Sequence, residues 1–271
     1  IALASQYLRQ NESRKAIAVL NEAKIDQKQM PGYILLMSQG KLALGEHQHA
    51  ERLLEGLIVS NPSIPAAHFL LARSYSADNK PEKMRSSLNK TIELEPNHFQ
   101  ALVIMARLDL FEGKIDSFRK RVALLDKSFP ENQQVQFFKA KIASGDSNFG
   151  GAIDTLSSLM EKTPNTEIII DLSRNQWQSG DKQAAITGLQ LWVEVNNDDS
   201  QAFMLLAQFY MAENRFEEAK EAYVTLNTLA GDNPVVLNNL AWLLGDTNPE
   251  EGIKYAQKAL MLSPDNAFTE D

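Results

Sequence analysis

A single pattern returns every 34 residues along this 271-residue chain. It reads most plainly between Pro65 and Asn97. The large His68 comes first, then Leu71-Ala72, Tyr75, a break at Ala77-Asp78-Asn79, a second amphipathic stretch, and Leu94-Glu95-Pro96-Asn97. Pro62, Pro96, Pro130 and Pro164 follow one another at steps of 34. A period of that size marks a stacked helical repeat, because each copy is one supersecondary unit that cannot bury its apolar face alone. Such a chain grows in one dimension, each repeat touching only its neighbours. A length of 271 residues, which would otherwise point to two domains, therefore reads as one elongated domain.

Taken in register, the pattern gives repeats at about 1–30, 31–64, 65–98, 99–132, 133–165, 166–199, 200–233 and 234–264, with the start of a further one at 265–271. The first stretch of each holds a large-small pair: Leu3-Ala4, Met37-Ser38, Leu71-Ala72, Met105-Ala106, Lys139-Ala140, Leu172-Ser173, Leu206-Ala207 and Leu240-Ala241. A second small position recurs at Ala16, Ala50, Ala152, Ala185, Ala219 and Gly252, with Met84 and Phe118 as departures. Two small positions per repeat let antiparallel helix axes approach at the near end of the usual 8–10 Å. The reading is all-α: about sixteen helices in about eight antiparallel pairs, with wider spacing expected at Met84 and Phe118. The stretch Gly145-Asp146-Ser147-Asn148-Phe149-Gly150-Gly151 is expected to be a loop, and the loosest internal connection, since glycines have the most backbone freedom to lose.

These features resemble the tetratricopeptide repeat family over essentially the whole chain. Tyr7, Tyr75 and Tyr210 take the family's aromatic place, and Pro62, Pro96, Pro130, Pro164 and Pro264 its terminal one. The resemblance implies a right-handed superhelical solenoid whose first helices line a concave face. Residues following the first small position track that face: Ser5, Gln39, Arg73, Arg107, Lys141, Arg174, Gln208 and Trp242. Four consecutive basic residues in a chain of net charge −8 form an uneven series. At roughly 10 Å per repeat they make a ladder about 30 Å long. The alternative is four solvated cations neutralised by neighbours such as Asp109 and Glu112.

Residues three and four apart share a helix face. Ile1, Leu35, Phe69, Val103, Phe137, Ile170 and Met204, four before the ladder, and Leu8, Leu42, Leu110, Trp177 and Met211, three after it, therefore belong with it. Leu35, Val103 and Ile170 are expected to be mostly buried, and Phe69, Phe137, Trp177 and Trp242 at least partly accessible. The candidate groove is thus Arg73, Arg107, Lys141 and Arg174 with Phe69, Phe137, Trp177 and Trp242. It suits a peptide or partner protein with acidic groups. The family's chaperone-tail clamps use asparagines where this chain has Arg or Lys, so that ligand does not fit.

The stretch Leu237–Leu244, followed by Tyr255–Leu260 and Pro264-Asp265-Asn266, also resembles the bacterial lipoproteins that accompany PEP-CTERM sorting and exopolysaccharide export. That resemblance implies a scaffold in the periplasm or anchored to the outer membrane. Without it the cytoplasm is the default. It also opens a second function, an anionic-polysaccharide module of the cell envelope.

Chemistry is not legible. His47 and His49 read as a solvated turn, and no strand precedes a glycine-rich phosphate loop. No catalytic residue, metal or cofactor is expected, and the net charge argues against nucleic acid. No run of about 18 apolar residues could form a transmembrane segment. The chain opens inside a helix and closes where a repeat would begin, and so reads as a fragment. Leu3, Ile17, Leu20, Leu260 and Leu262 are expected to lack a covering neighbour and to favour self-association.

Overall fold

The computed structural model describes residues 1–24 and 29–263. Pro264 and 265–271, read above as closing one repeat and opening another, lie outside them. The described residues form sixteen helices and no strand. Two compact units are present. Unit 1, Ile1–Val135, holds α1 (Ala2–Arg9), α2 (Ser13–Asn21), α3 (Pro31–Ala43), α4 (His47–Ser60), α5 (Pro65–Ala77), α6 (Pro81–Leu94), α7 (Phe99–Phe111) and α8 (Ile115–Ser128). Unit 2, Gln136–Asp271, holds most of α9 (Gln133–Gly145), then α10 (Phe149–Lys162), α11 (Thr166–Ser179), α12 (Lys182–Val195), α13 (Ser200–Ala212), α14 (Phe216–Ala230), α15 (Pro234–Leu244) and α16 (Pro249–Leu262).

Within a pair, the first helix ends on one residue in the left-handed region: Asn11, Gly45, Asn79, Gly113, Ser147, Gly180 and Asn214, with φ between 53° and 96°. Two backbone bonds close each of these turns. At Asn79 its own N–H donates to Ser76 at 3.2 Å and Lys80 N–H donates to Tyr75 at 2.8 Å. This is the Schellman arrangement, which satisfies carbonyls the helix end leaves open. Gly suits the position because it has no Cβ, and Asn because its short polar side chain can bond the local backbone. The last pair departs: Gly245 has φ −50°, and its shorter turn is closed by Asn248 N–H on Leu244.

Second helices stop differently. Asn61, Glu95, Phe129 and Thr163 are extended, with φ from −135° to −146°, and each precedes a proline. Proline disfavours the helical region for the residue before it, which sets these ends. The small positions lie where the axes meet: Ala4, Ser38, Ala106, Ala152, Ala185 and Ala219 are fully buried. Consecutive helices of unit 1 pack from α1 through α8, and α3 also touches α1 and α5. In unit 2 consecutive helices pack from α10 to α16, and α11 touches α13.

Two expectations change. The glycine-rich stretch is not a loop, since Gly145 ends α9 and Phe149–Gly151 form the first turn of α10, capped by Asn148 Oδ1 accepting from Gly151 N–H. Helix ends accommodate glycine readily when a side chain supplies the missing bond. Ile17 and Leu20 are buried against Tyr33 and Met37 of α3, while Leu3, Leu260 and Leu262 are exposed. Asp109 and Glu112 meet cations outside the ladder. Asp109, fully buried in the aromatic place of its repeat, meets Arg121 at 2.5 Å and Arg85 at 3.6 Å; Glu112 meets Arg85 and Lys114.

Candidate functional site

The first helices of unit 2 position a groove of about 530 Å³. From α9 comes Lys141; from α11, Glu167, Ile170, Asp171 and Arg174; from α13, Ser200, Gln201, Met204, Leu205 and Gln208. Leu226 and Ala230 of α14 and Asn233 close it. Lys141, Ile170, Arg174, Met204 and Gln208 all belong to the series expected to share a face. Helix periodicity brings Ile170 and Arg174, and Met204 and Gln208, one turn apart on the same side.

The groove's charge is balanced: Lys141 and Arg174 against Glu167 and Asp171. Asp171, only 8% exposed, meets the Lys141 ammonium at 2.5 Å. Burial pushes its carboxyl above the usual range; Lys141 pulls it back, Glu167 adds to the rise, Arg174 opposes it, and burial wins. Lys141 is therefore held by a carboxylate of the next first helix and also lies 5.2 Å from the Phe137 ring. Arg174 is exposed and makes no hydrogen bond or ion pair among the described residues.

The aromatic expectations divide. Phe137 is buried, at 4% exposure, because it lies beneath Lys141 and beside Phe138; this corrects its place among the accessible residues. Trp177 is half-buried, stacked on Phe209 at 4.1 Å with the Lys182 ammonium 5.0 Å from its ring. Trp242 does not line this groove; it sits 62% exposed in another cleft of unit 2. Ile170 is buried.

In unit 1, Arg73 is exposed and forms no ion pair among the described residues. Arg107, also exposed, donates to Gln134 Oε1 at 2.9 Å. Phe69 is half-buried with its ring 4.6 Å from that of His98, while Leu35 and Val103 are partly buried. Among the described residues no cluster of His, Cys, Asp and Glu is arranged to hold a metal, and no helix is long and apolar enough to cross a membrane.

Residues 65–98 and 200–233 match the family model of the tetratricopeptide repeat. Over 97% of its length the chain is 22% identical to a DnaJ homolog subfamily C member 3 of Gallus gallus, covering 52% of that protein. Among solved structures it resembles a chain of the APC/C hetero-tetramer Cut9-Hcn1, with TM-score 0.66 and 16% identity over 99% of this chain and 53% of that one. It also resembles PilW, a widely conserved type IV pilus biogenesis factor, with TM-score 0.66 and 12% identity over 76% and 96%. A tetratricopeptide repeat protein from Parabacteroides merdae gives TM-score 0.62 and 12% identity over 90% and 97%. The chain spans about half the length of its curated relative and of the first of these structures. Likeness at these identities shows the fold, an all-helical repeat solenoid.

Proposed function

We propose, since the chain is a tetratricopeptide-repeat protein, that it is a non-enzymatic scaffold whose unit 2 groove takes a peptide segment of a partner protein. The observation that supports this is the convergence of Lys141, Ile170, Arg174, Met204 and Gln208 on one cleft. Ile170, Met204 and Leu205 offer apolar contact, and the amides of Gln201, Gln208 and Asn233 can bond a peptide backbone. Arg174 is the cation open to an acidic side chain or a terminal carboxylate, whereas Lys141 stays with Asp171 and orients it. In unit 1, Arg73 and Phe69 present the same pairing of a cation with an apolar surface.

Two cations against two carboxylates favour a peptide over an anionic polysaccharide, whose affinity would have to come from charge. The test is a fluorescence-anisotropy titration with a labelled Leu-Asp-Leu-Glu-Leu peptide and, beside it, an alginate oligosaccharide. Arg174→Glu should weaken the peptide about tenfold with little change in stability, since exposed charge changes usually stay within about 0.5 kcal/mol. Met204→Ala should weaken it severalfold. Full peptide affinity in Arg174→Glu overturns the proposal. Tight alginate binding indifferent to Met204→Ala would put the polysaccharide in its place.

A further inference from the structure

The second cleft of unit 2, about 840 Å³, differs in character from the groove. Phe216 from the start of α14, Trp242 from α15 and Ile253 from α16 line it, and all three are exposed, at 39%, 62% and 57%. Trp242 and Phe216 meet edge to face at 5.3 Å, a contact that restrains the indole. The charged residues lining the cleft are Glu217 and Asp246, and none of its lining residues is Lys, Arg or His. Glu217 is paired with Lys220 yet keeps a largely exposed carboxylate; Asp246 has no ion pair or hydrogen bond among the described residues.

Other aromatics of unit 2 already carry a cation. Lys141 lies 5.2 Å from Phe137, Lys182 5.0 Å from Trp177, and Arg215 4.6 Å from Tyr210. Trp242, on the most favourable ring type for such a contact, has none among the described residues; its ring partner is Phe216. An exposed indole flanked by two carboxylates and apolar surface is complementary to a side chain that is cationic at its tip and apolar along its stem. Lys and Arg are the side chains of that kind.

We propose that this cleft docks a basic segment of a partner protein, with a Lys or Arg over Trp242, its charge facing Asp246 and Glu217, and a neighbouring aliphatic residue against Phe216 and Ile253. It is a site separate from the Arg174 groove and of opposite charge preference. The chain would therefore receive two chemically different segments within one unit.

The probe is a fluorescein-labelled Leu-Lys-Leu-Arg-Leu peptide, titrated by anisotropy, with a Leu-Nle-Leu-Nle-Leu peptide (norleucine for the cations) for comparison. Trp242→Ala should weaken the basic peptide about tenfold. Asp246→Asn, a change at an exposed turn with little bearing on folding, should weaken it about threefold. Arg174→Glu should leave it unchanged, so failure here is distinguishable from failure of the groove reading. Far-UV circular dichroism checks that both variants remain folded. Wild-type affinity in Trp242→Ala and Asp246→Asn overturns the proposal, as does a norleucine peptide that binds as well as the basic one. Concentration-dependent dimerisation of the chain that Trp242→Ala abolishes would also overturn it, by making a second copy the occupant.

Discussion

Replacing Lys141 with alanine asks whether that residue serves a ligand or the fold. The substitution strips a buried carboxylate of its partner at 2.5 Å. Removing one member of a fully buried pair costs about 3–5 kcal/mol. Here the Asp171 side chain is 11% exposed but that of Lys141 is 27% exposed, and Arg174 still acts on the carboxylate at longer range. Partial solvation lowers the expectation to about 2 kcal/mol at neutral pH.

The pH dependence follows from the direction of the Asp171 shift. Its pKa is raised in the folded chain, and Lys141 is a cause that lowers it, so Lys141→Ala raises it further. The folded variant then keeps its proton to higher pH than the unfolded chain does. Its deficit is fully present above the raised pKa, where the carboxylate must ionise without a partner, and shrinks as pH falls through it. Urea melts at pH 5 and pH 8 measure the deficit, with hydrogen exchange at α9 and α11 amides as a local reading. Adding Asp171→Asn should recover about 1 kcal/mol at pH 8. An identical deficit at both pH values, with no recovery from Asp171→Asn, would refute the pairing argument.

A Cβ added at Gly113 meets nothing within 4 Å, so Gly113→Ala should cost about 1 kcal/mol from left-handed backbone alone. In thermal melts Gly113→Asn should cost less, and Ser147→Gly should stabilise. Gly252→Ala places a Cβ 3.1 Å from the Ala241 carbonyl oxygen and should lower stability by about 1–3 kcal/mol by pushing α15 from α16. Asp199 caps α13 and accepts from Trp192 Nε1 and Thr166 Oγ1; burial raises its pKa, but these bonds outweigh burial and hold it below the usual value. Asp199→Ala should therefore cost about 1–2 kcal/mol at pH 7. That difference should fade as pH falls through the lowered pKa, because the wild-type advantage exists only while the carboxylate is ionised.

Periodicity made the helix pairs and their close contacts legible, because a small residue recurring at a fixed step is what closely approaching helix axes require. The turns were half legible. Asn79 stood in the break of the plainest repeat, but that Ser147 shares its backbone state does not follow from residue type. The Gly145–Gly151 reading failed because composition cannot tell a loop from a helix start whose cap, Asn148, supplies the bond. Charge partners were the least legible. Arg107 and Asp109 are two residues apart and so face different sides of α7, which is why Asp109 turns to Arg85 and Arg121 instead. A signal for the Lys141–Asp171 pair did exist. The position three before the next ladder residue holds Ile104, Phe138, Asp171 and Leu205 in successive repeats, and it is acidic only opposite Lys141.

The buried Asp109 limits how freely the repeats can be exchanged. Its two cations come from different places: Arg121 from its own repeat and Arg85 from the one before. Grafted alone into another array, residues 99–132 would carry a fully buried carboxylate with half its neutralising set left behind. Residues 81–128, α6 through α8, accordingly form a piece that recombination or engineering can move with this set intact. A library that shuffles this chain at repeat boundaries should lose stability at that junction, and at the one that parts Lys141 from Asp171, more than elsewhere, even though every fragment retains the same helical outline.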